Sequence, residues 1–217
     1  MSRLVGLYGG SFDPVHLGHV VPVEAARQNL GLDEVVYVPA AVPPHNPGGP
    51  RATSWDRVAM LALALDGHPA LSLSFDELSR TGTSYTIDTL RRFRAERTGD
   101  EILLVLDTDS WLTLHTWRST AAILEEFRVV LVARGTDTYA VCRDGVSEAF
   151  RARLAPEGAT PRNEAPGGSV FWGGNEPVTI SSTWIRNALR SPSPSPLQGS
   201  LPPAVERYLR KRNLYRS

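Results

Sequence analysis

The chain has 217 residues, of which 41% are hydrophobic, enough to bury a substantial core in one domain. Lys plus Arg and Asp plus Glu both number 23, so no net charge attracts nucleic acid and any anion site must be built locally. The sequence has no signal-peptide core and no run of about 18 apolar residues, and its single cysteine excludes an internal disulfide. We therefore expect a cytoplasmic protein, a monomer or small homo-oligomer, with no nucleic-acid or membrane partner.

Short apolar runs alternate with segments of helical length along the chain. The runs are rich in leucine and β-branched residues without strict alternation, as strands buried on both faces require. Apolar residues recur at helical spacing between them, for example over residues 53–65 and 85–96. This rhythm predicts an α/β protein with a doubly wound, Rossmann-like parallel sheet and helices on both faces. The predicted strands are Leu4 to Tyr8, Val35 to Val38, Leu71 to Phe75, Ile102 to Leu106 and Val129 to Ala133.

The rhythm is lost toward the C-terminus. Residues 136–168 are rich in charge, glycine and proline, and we interpret them as a variable excursion with a helix near Ser147 to Leu154. The Ser-Pro-rich segment 191–200 breaks helical structure and predicts a linker to a last basic helix within residues 202–215. We therefore expect one α/β domain over residues 1–190, with residues 191–217 forming a linker and a helix packed on that domain.

The stretch GGSFDPVHLGH, residues 9–19, joins the first predicted strand to the first predicted helix. After a strand and a Gly-rich turn, backbone N–H groups and the positive end of the helix dipole point toward one place and can bind an anion there. Phosphate is the anion that we expect. His16 and His19 lie three residues apart and share one side of the incipient helix. A bound anion favours their charged form. No cysteine or acidic ligand accompanies the pair, so we expect no metal held by the protein.

The stretch TISSTWIR, residues 179–186, indicates a second helix start. Serines at a helix start cap it and present hydroxyl groups to a phosphate, while Arg186, one turn in, adds a fixed positive charge. Plain capping explains one of the two serines but does not explain the arginine.

Both stretches resemble signatures of the nucleotidyltransferase superfamily, namely H-x-G-H after a G-G-[ST]-F-D-P turn, and I-S-S-T-x-[IL]-R. Three further segments are similar to those of bacterial nicotinate-nucleotide adenylyltransferases and spread the resemblance over most of the chain. They are VPAAVPPHN over residues 38–46, DELSRTGTSYTIDTL over 76–90 and LHTWR over 114–118. The resemblance implies that the protein joins ATP and nicotinate mononucleotide into nicotinate adenine dinucleotide and releases pyrophosphate.

The resemblance also implies roles for individual residues at the ATP site. His16, His19 and Arg186 are the implied catalytic residues, because they hold the ATP phosphates. Mg²⁺ is expected to arrive on ATP without a dedicated protein cage. The residues implied to bind ATP are Gly9, Gly10, Ser11, Phe12, His16, Gly18, His19, Asp109, Ser181, Ser182 and Arg186.

At the mononucleotide, the resemblance implies that Tyr85 and Thr86 meet the pyridine carboxylate and that Trp117 stacks on the ring. Thr86 is expected to cap the helix that follows, and free N–H groups there favour a carboxylate over a carboxamide. Simple core packing is the alternative for Trp117 and our interpretation of Trp55 and Trp184, while Trp111 stays undecided. The residues implied to bind the mononucleotide are Ser11, His45, Tyr85, Thr86 and Trp117.

Two positions depart from the family pattern. Asn46 stands where the family has lysine, and Asp107 stands where it has glycine, two residues before Asp109. These departures keep open a non-catalytic nucleotide sensor. A nicotinamide-preferring enzyme is a further alternative, and so is a phosphopantetheine adenylyltransferase, although that family is typically shorter and lacks the S-Y-T-x-D-T-L segment.

Overall fold

The computed structural model describes residues 2–41, 49–163, 169–191 and 197–216. Its strands are β1 (Leu4–Gly10), β2 (Glu34–Pro39), β3 (Leu71–Leu73), β4 (Glu101–Asp107), β5 (Arg128–Val132) and β6 (Val170–Trp172). They form one sheet in the order β3-β2-β1-β4-β5-β6, and every pairing of neighbours is parallel. The doubly wound α/β fold predicted from the sequence is confirmed.

Helices connect the strands and cover both faces of the sheet. No helix within the described ranges is long and apolar enough to cross a membrane. A 3-10 turn, Leu114–Thr116, follows the fourth helix. The α-helices are α1 (Leu17–Leu30), α2 (Ser54–Leu65), α3 (Thr86–Glu96), α4 (Thr108–Thr113), α5 (Thr120–Glu126), α6 (Tyr139–Asp144), α7 (Glu148–Arg151), α8 (Ser182–Arg190) and α9 (Pro203–Lys211).

Successive strand residues bury their side chains on opposite faces of the sheet. Leu4 and Tyr8 belong to the buried cluster shared with α1, α2, α8 and α9, whereas Val5 and Leu7 belong to the cluster shared with α3, α4 and α5. Strands buried on both faces explain why the sequence shows continuous apolar runs. The helix predicted near the C-terminus is present as α9 and packs into the first cluster. The division at residue 190 stays a prediction.

The structure differs from the expectation in the segment after β5. The helix expected over residues 147–154 is shorter, and neither α6 before it nor β6 after it was predicted. Elements of three to six residues carry too few apolar positions to show a period. The side chain of Thr138, which accepts a hydrogen bond from the Val141 N–H at 3.4 Å, was the available sign of a helix start.

The tryptophans divide differently from our interpretation. Trp55 and Trp184 are 79% and 44% exposed, so the prediction that they pack in the core is wrong. Each lies near the start of a helix, on the side that faces solvent. Trp111 is fully buried and its Nε1 donates to the Cys142 carbonyl at 3.1 Å, which settles it as a core residue. Burial also raises the pKa of the Cys142 thiol to about 12, so this cysteine stays protonated.

Chain order reverses at the middle of the sheet, because β1 pairs with β2 on one side and with β4 on the other. In a parallel sheet, each helix that follows a strand begins at the carboxyl edge. The starts of α1 and α4 therefore flank a crevice between the ends of β1 and β4. In folds of this type ligands bind at such a point of reversal.

Candidate active site

A cavity of about 690 Å³ opens at this point of reversal. Residues 8–13, at the end of β1 and in the turn that follows, form one wall. His19 on α1 and the start of α8 add to it, and the ends of β4 and β5 close the other side. The side chains discussed below that line the cavity are Asp13, His19, Asp107, Arg134, Ser182 and Arg186.

The two motifs at opposite ends of the chain meet at this cavity. The Arg186 guanidinium donates to the Asp13 carbonyl at 2.6 Å, and the Ser182 hydroxyl donates to the Pro14 carbonyl at 2.9 Å. Both acceptors belong to residues 9–16, the turn that is predicted to bind phosphate and is called the phosphate-binding turn below. Ser181 caps α8 by accepting from the Trp184 N–H at 3.1 Å, so one serine caps while the other faces the cavity, as expected.

His16 and His19 stack on each other, with ring centroids 3.7 Å apart. The His16 N–H donates to Nδ1 of His19 at 3.3 Å. A nitrogen that accepts a hydrogen bond carries no proton, so neutral His19 holds its proton on Nε2. His19 lines the cavity, and its Nε2–H is therefore the donor available to a ligand.

His16 lies behind His19 and does not line the cavity in the unliganded protein. Its side chain is 1% exposed, and neither ring nitrogen has a partner among the described residues. Such unpaired buried groups are costly and mark a place where a ligand group is expected. A Cβ on Gly18 would lie 3.0 Å from Nδ1 of His16, so any larger residue there would press on the His16 ring. Phosphate binding by His16 stays a prediction.

Both imidazoles are neutral near pH 7. Burial, reinforced by the nearby charge of Arg134, lowers the pKa of His19 to about 3. Burial also lowers the pKa of His16 far below its ordinary value, helped by His19 and Arg134. The charged form that a bound anion is expected to favour stays a prediction.

Acid should destabilise the protein through these two histidines. The folded-state pKa of His19, about 3, lies below the ordinary 6.5, so its stabilisation is complete above 6.5 and is lost as the pH falls toward 3. From about pH 7.5 to about pH 5.5 each histidine should cost about 1.4 kcal/mol of unfolding free energy. Urea unfolding should show both losses in wild type and only that of His16 in His19→Gln, so the pH-dependent loss of unfolding free energy should be about half as large in the variant. An unchanged pH dependence in that variant would contradict the assignment.

Asp107, which replaces the family's glycine, is fully engaged within the chain. One carboxylate oxygen caps α4 by accepting from the Ser110 N–H at 2.8 Å, and the other pairs with Arg134 at 3.0 Å. Arg134 also lies 3.5 Å from a carboxylate oxygen of Asp109. The added negative charge is therefore balanced where the nucleotide was expected to approach. Asp109 does not line the cavity and is two-thirds exposed, so its role toward the nucleotide stays a prediction.

Of the described residues expected at the mononucleotide, Ser11 lines the cavity, whereas Tyr85, Thr86 and Trp117 do not. Tyr85, not Thr86, is the cap position of α3, and it makes no side-chain capping bond, so the prediction that Thr86 caps this helix is wrong. Thr86 is the first helical residue. The Arg118 guanidinium lies 4.3 Å from the centre of the Tyr85 ring, and Trp117 and Tyr85 both pack against the same buried cluster. His45 and Asn46 lie outside the described residues.

The side chains at the cavity were tested for a metal site. Within the described ranges, no three His, Cys, Asp or Glu side chains converge as metal ligands do. The Asp13 carboxylate already accepts from the N–H groups of Arg51 and Ala52, and Asp107 is paired with Arg134. This donor set fits a cation that arrives on a substrate's phosphates and keeps most of its ligands from there.

Sequence reasoning missed Asp13 and Arg134 as site residues. Arg134 follows β5 at the carboxyl edge, and that position was a usable signal, because all strand ends in a parallel sheet meet there. Asp13 was noted only as part of the G-G-[ST]-F-D-P signature. Its bonds could not be predicted, because its partners at residues 51, 52 and 215 are distant in sequence.

Comparison with known proteins identifies the class. Residues 7–188 match the cytidylyltransferase-like family model, and the chain belongs to that family of nucleotidyltransferases. A probable nicotinate-nucleotide adenylyltransferase of Yersinia pestis is 34% identical over 216 residues, covering 98% of this chain and 96% of the relative. One of Pectobacterium atrosepticum is 36% identical over 218 residues and is covered completely. Within the class, the chain belongs to the nicotinate-nucleotide adenylyltransferases.

Solved structures agree on the fold. A Plasmodium falciparum nicotinic acid mononucleotide adenylyltransferase complexed with NaAD superimposes with a TM-score of 0.71 at 17% identity, over 98% of this chain and 97% of that one. A putative nicotinate-nucleotide adenylyltransferase from Vibrio parahaemolyticus gives a TM-score of 0.66, also at 17% identity.

Proposed function

We propose that the protein transfers the adenylyl group of ATP to nicotinate mononucleotide, giving nicotinate adenine dinucleotide and pyrophosphate. The observation that carries this function is the convergence of the phosphate-binding turn, His19, Ser182 and Arg186 on one cavity at the carboxyl edge of the sheet. A helix start, a neutral donor and a fixed positive charge at one place suit a triphosphate. The family membership supplies the reaction.

In the proposed reaction, a phosphate oxygen of the mononucleotide attacks the α-phosphorus of ATP in line. A new P–O bond forms as the bond from the α-phosphorus to the bridging oxygen breaks, and pyrophosphate leaves with that electron pair. The attacking phosphate is already ionised, so no general base is needed. Catalysis then depends on alignment and preorganised charge, and alignment alone can lower a barrier by about 7 to 11 kcal/mol.

The chain's own residues have distinct tasks in this scheme. His19 donates from Nε2 to a phosphate oxygen, Ser182 and Arg186 hold the β- and γ-phosphates, and Ser11 with the turn amides lies near the reacting phosphates. Mg²⁺ bound to ATP supplies charge neutralisation, and its remaining ligands come from phosphate and water. Arg134 on the opposite wall is paired with Asp107 and offsets the charge of that carboxylate.

The start of α3 supports nicotinate as the acceptor's base. Tyr85 makes no side-chain cap, and in the first turn of this eleven-residue helix the Asp88 N–H donates to the Tyr85 carbonyl at 3.0 Å, so the N–H groups of Thr86 and Ile87 are the ones proposed to meet an anion. The positive end of a helix favours a carboxylate over a neutral carboxamide by up to about 2 kcal/mol. The Arg118 guanidinium packs against the Tyr85 ring and adds a further positive charge near the start of α3.

Pyrophosphate release tests the proposed function. With ATP and Mg²⁺, nicotinate mononucleotide should support turnover with a kcat/KM at least about tenfold above nicotinamide mononucleotide, because about 1.4 kcal/mol separates their binding by tenfold. Phosphopantetheine is the third acceptor. Turnover only with phosphopantetheine, or with none of the three, would refute the proposal.

Trp117→Ala should weaken the mononucleotide and leave ATP nearly unaffected. A stacked aromatic face contributes about 1 to 3 kcal/mol to a base, so KM for nicotinate mononucleotide should rise by about tenfold or more. Trp55→Ala is the matched control, because Trp55 is exposed on α2. Equal rises in both KM values for Trp117→Ala would instead indicate simple packing.

The non-catalytic alternative loses part of its basis, because Asp107 is paired with Arg134 and places no unbalanced charge at the cavity. As the compartment we propose a reducing cytoplasm, which a single buried, protonated cysteine fits.

A further inference from the structure

The phosphate-binding turn is tied to the C-terminal tail of the chain. The carboxylate of Asp13 is buried and accepts backbone N–H groups of Arg51 at 2.7 Å and Ala52 at 3.0 Å. Its Oδ1 also accepts the hydroxyl of Tyr215 at 2.6 Å, from a residue 202 positions further along the chain. One side chain of the turn thus joins three segments of the protein.

Helix α9 delivers Tyr215 to this position. Val205 and Leu209 are buried against the domain, and the Tyr208 hydroxyl donates to a carboxylate oxygen of Asp56 on α2 at 2.8 Å. Beyond the helix, Tyr215 is 7% exposed and has a φ of 64°. The left-handed region is uncommon for an aromatic residue and persists where surrounding contacts hold it.

We propose that Tyr215 is a positioning residue for the transfer reaction, acting through Asp13 on the phosphate-binding turn. This role rests on the proposed function and deepens it: Tyr215 reaches no substrate, but its hydroxyl keeps the turn in the shape that receives the phosphates. The C-terminal tail then contributes to the geometry of the active site in addition to packing against the core.

The contacts around Asp13 explain why one hydroxyl matters. A buried carboxylate needs its donors, and a bond to a charged acceptor is among the stronger hydrogen bonds. The carbonyl of the same residue accepts from Arg186, and the Ser11 carbonyl accepts from the buried guanidinium of Arg57 at 2.8 Å. A shift of the Asp13 side chain is therefore transmitted to the carbonyls of Ser11 and Asp13 in the turn, and a displacement of about 1 Å can reduce turnover by about 10²-fold.

The experiment compares Tyr215→Phe with Tyr208→Phe in the full chain. Each variant removes one hydroxyl bonded to a carboxylate and keeps the ring, but Tyr208 contacts Asp56, away from the cavity. Tyr215→Phe should lower kcat/KM for ATP by about tenfold, mostly in kcat. Tyr208→Phe keeps the buried Val205 and Leu209 that hold α9, so its kcat/KM should stay within about twofold of wild type. In an Asp13→Asn background the effect of Tyr215→Phe should vanish, because the bond is already altered.

Hydrogen exchange supplies a readout that does not require turnover. The amides of Arg51 and Ala52 should exchange faster in Tyr215→Phe than in wild type or Tyr208→Phe, since they bond to Asp13. Equal kinetics and equal exchange in the two variants overturn the role of Tyr215, whatever their unfolding free energies. If wild type does not use nicotinate mononucleotide, the proposed function fails, and exchange at these two amides alone decides whether Tyr215 positions the turn.

Discussion

Replacement of His19 by alanine is expected to lower kcat by about 10²- to 10³-fold while the protein stays folded. His19 lines the cavity, and because its Nδ1 accepts from the His16 N–H, Nε2 is the nitrogen left to donate to a ligand. Loss of one preorganised donor to a transition-state oxygen costs about 3 kcal/mol. Steady-state kinetics with saturating ATP and nicotinate mononucleotide measures the effect.

His68→Ala is the control for this variant. His68 precedes β3, at the amino edge of the sheet and far from the cavity. Its turnover should equal that of wild type, and circular dichroism should be the same for all three proteins. Turnover of His19→Ala within about twofold of wild type would remove His19 from its assigned role, since twofold corresponds to only about 0.4 kcal/mol.

Arg186→Ala should reduce kcat/KM for ATP by about 10²-fold or more, the second largest effect. The side chain supplies a positive charge to the cavity and donates to the Asp13 carbonyl, so its loss removes a phosphate contact and loosens the turn. A hydrogen bond to a charged group contributes about 1.5 to 3 kcal/mol, and both functions are lost together.

Arg186→Lys separates the two functions. Lysine keeps the charge but lacks the planar fork that contacts both Asp13 and Thr183, so activity should recover only in part. Arg190→Ala removes an exposed arginine one turn further along the same helix and should leave kcat/KM unchanged. Equal losses for Arg186→Ala and Arg190→Ala would show a general effect of charge and exclude a specific contact.

The sheet was predictable because buried parallel strands leave a local pattern. Each of the five runs beginning at Leu4, Val35, Leu71, Ile102 and Val129 overlaps a strand of the structure, although β3 ends at Leu73 and β5 at Val132. β6 was not predicted, because a strand of three residues is too short to show a hydrophobic pattern. Its position beside β5 depends on contacts that form only in the folded protein.

The candidate site was predictable as far as its residues lie in contiguous motifs. His19, Ser182 and Arg186 come together as the two signatures indicated. The bonds of Asp13 to residues 51, 52 and 215 have no local signature in the sequence, because these residues come close to Asp13 only in the folded protein. The cap of α3 was misplaced by one residue. Thr86 has a side chain suited to capping, but the helix begins at Thr86 and Tyr85 is the cap position.

The most direct test is a crystal structure with an ATP analogue that has a methylene group between the α- and β-phosphorus atoms. We predict phosphate oxygens within about 3.2 Å of Nε2 of His19, the Ser182 hydroxyl and the Arg186 guanidinium, with the α-phosphate next to the turn amides. A triphosphate bound elsewhere on the chain, or one that points out of this cavity, would contradict the central claim.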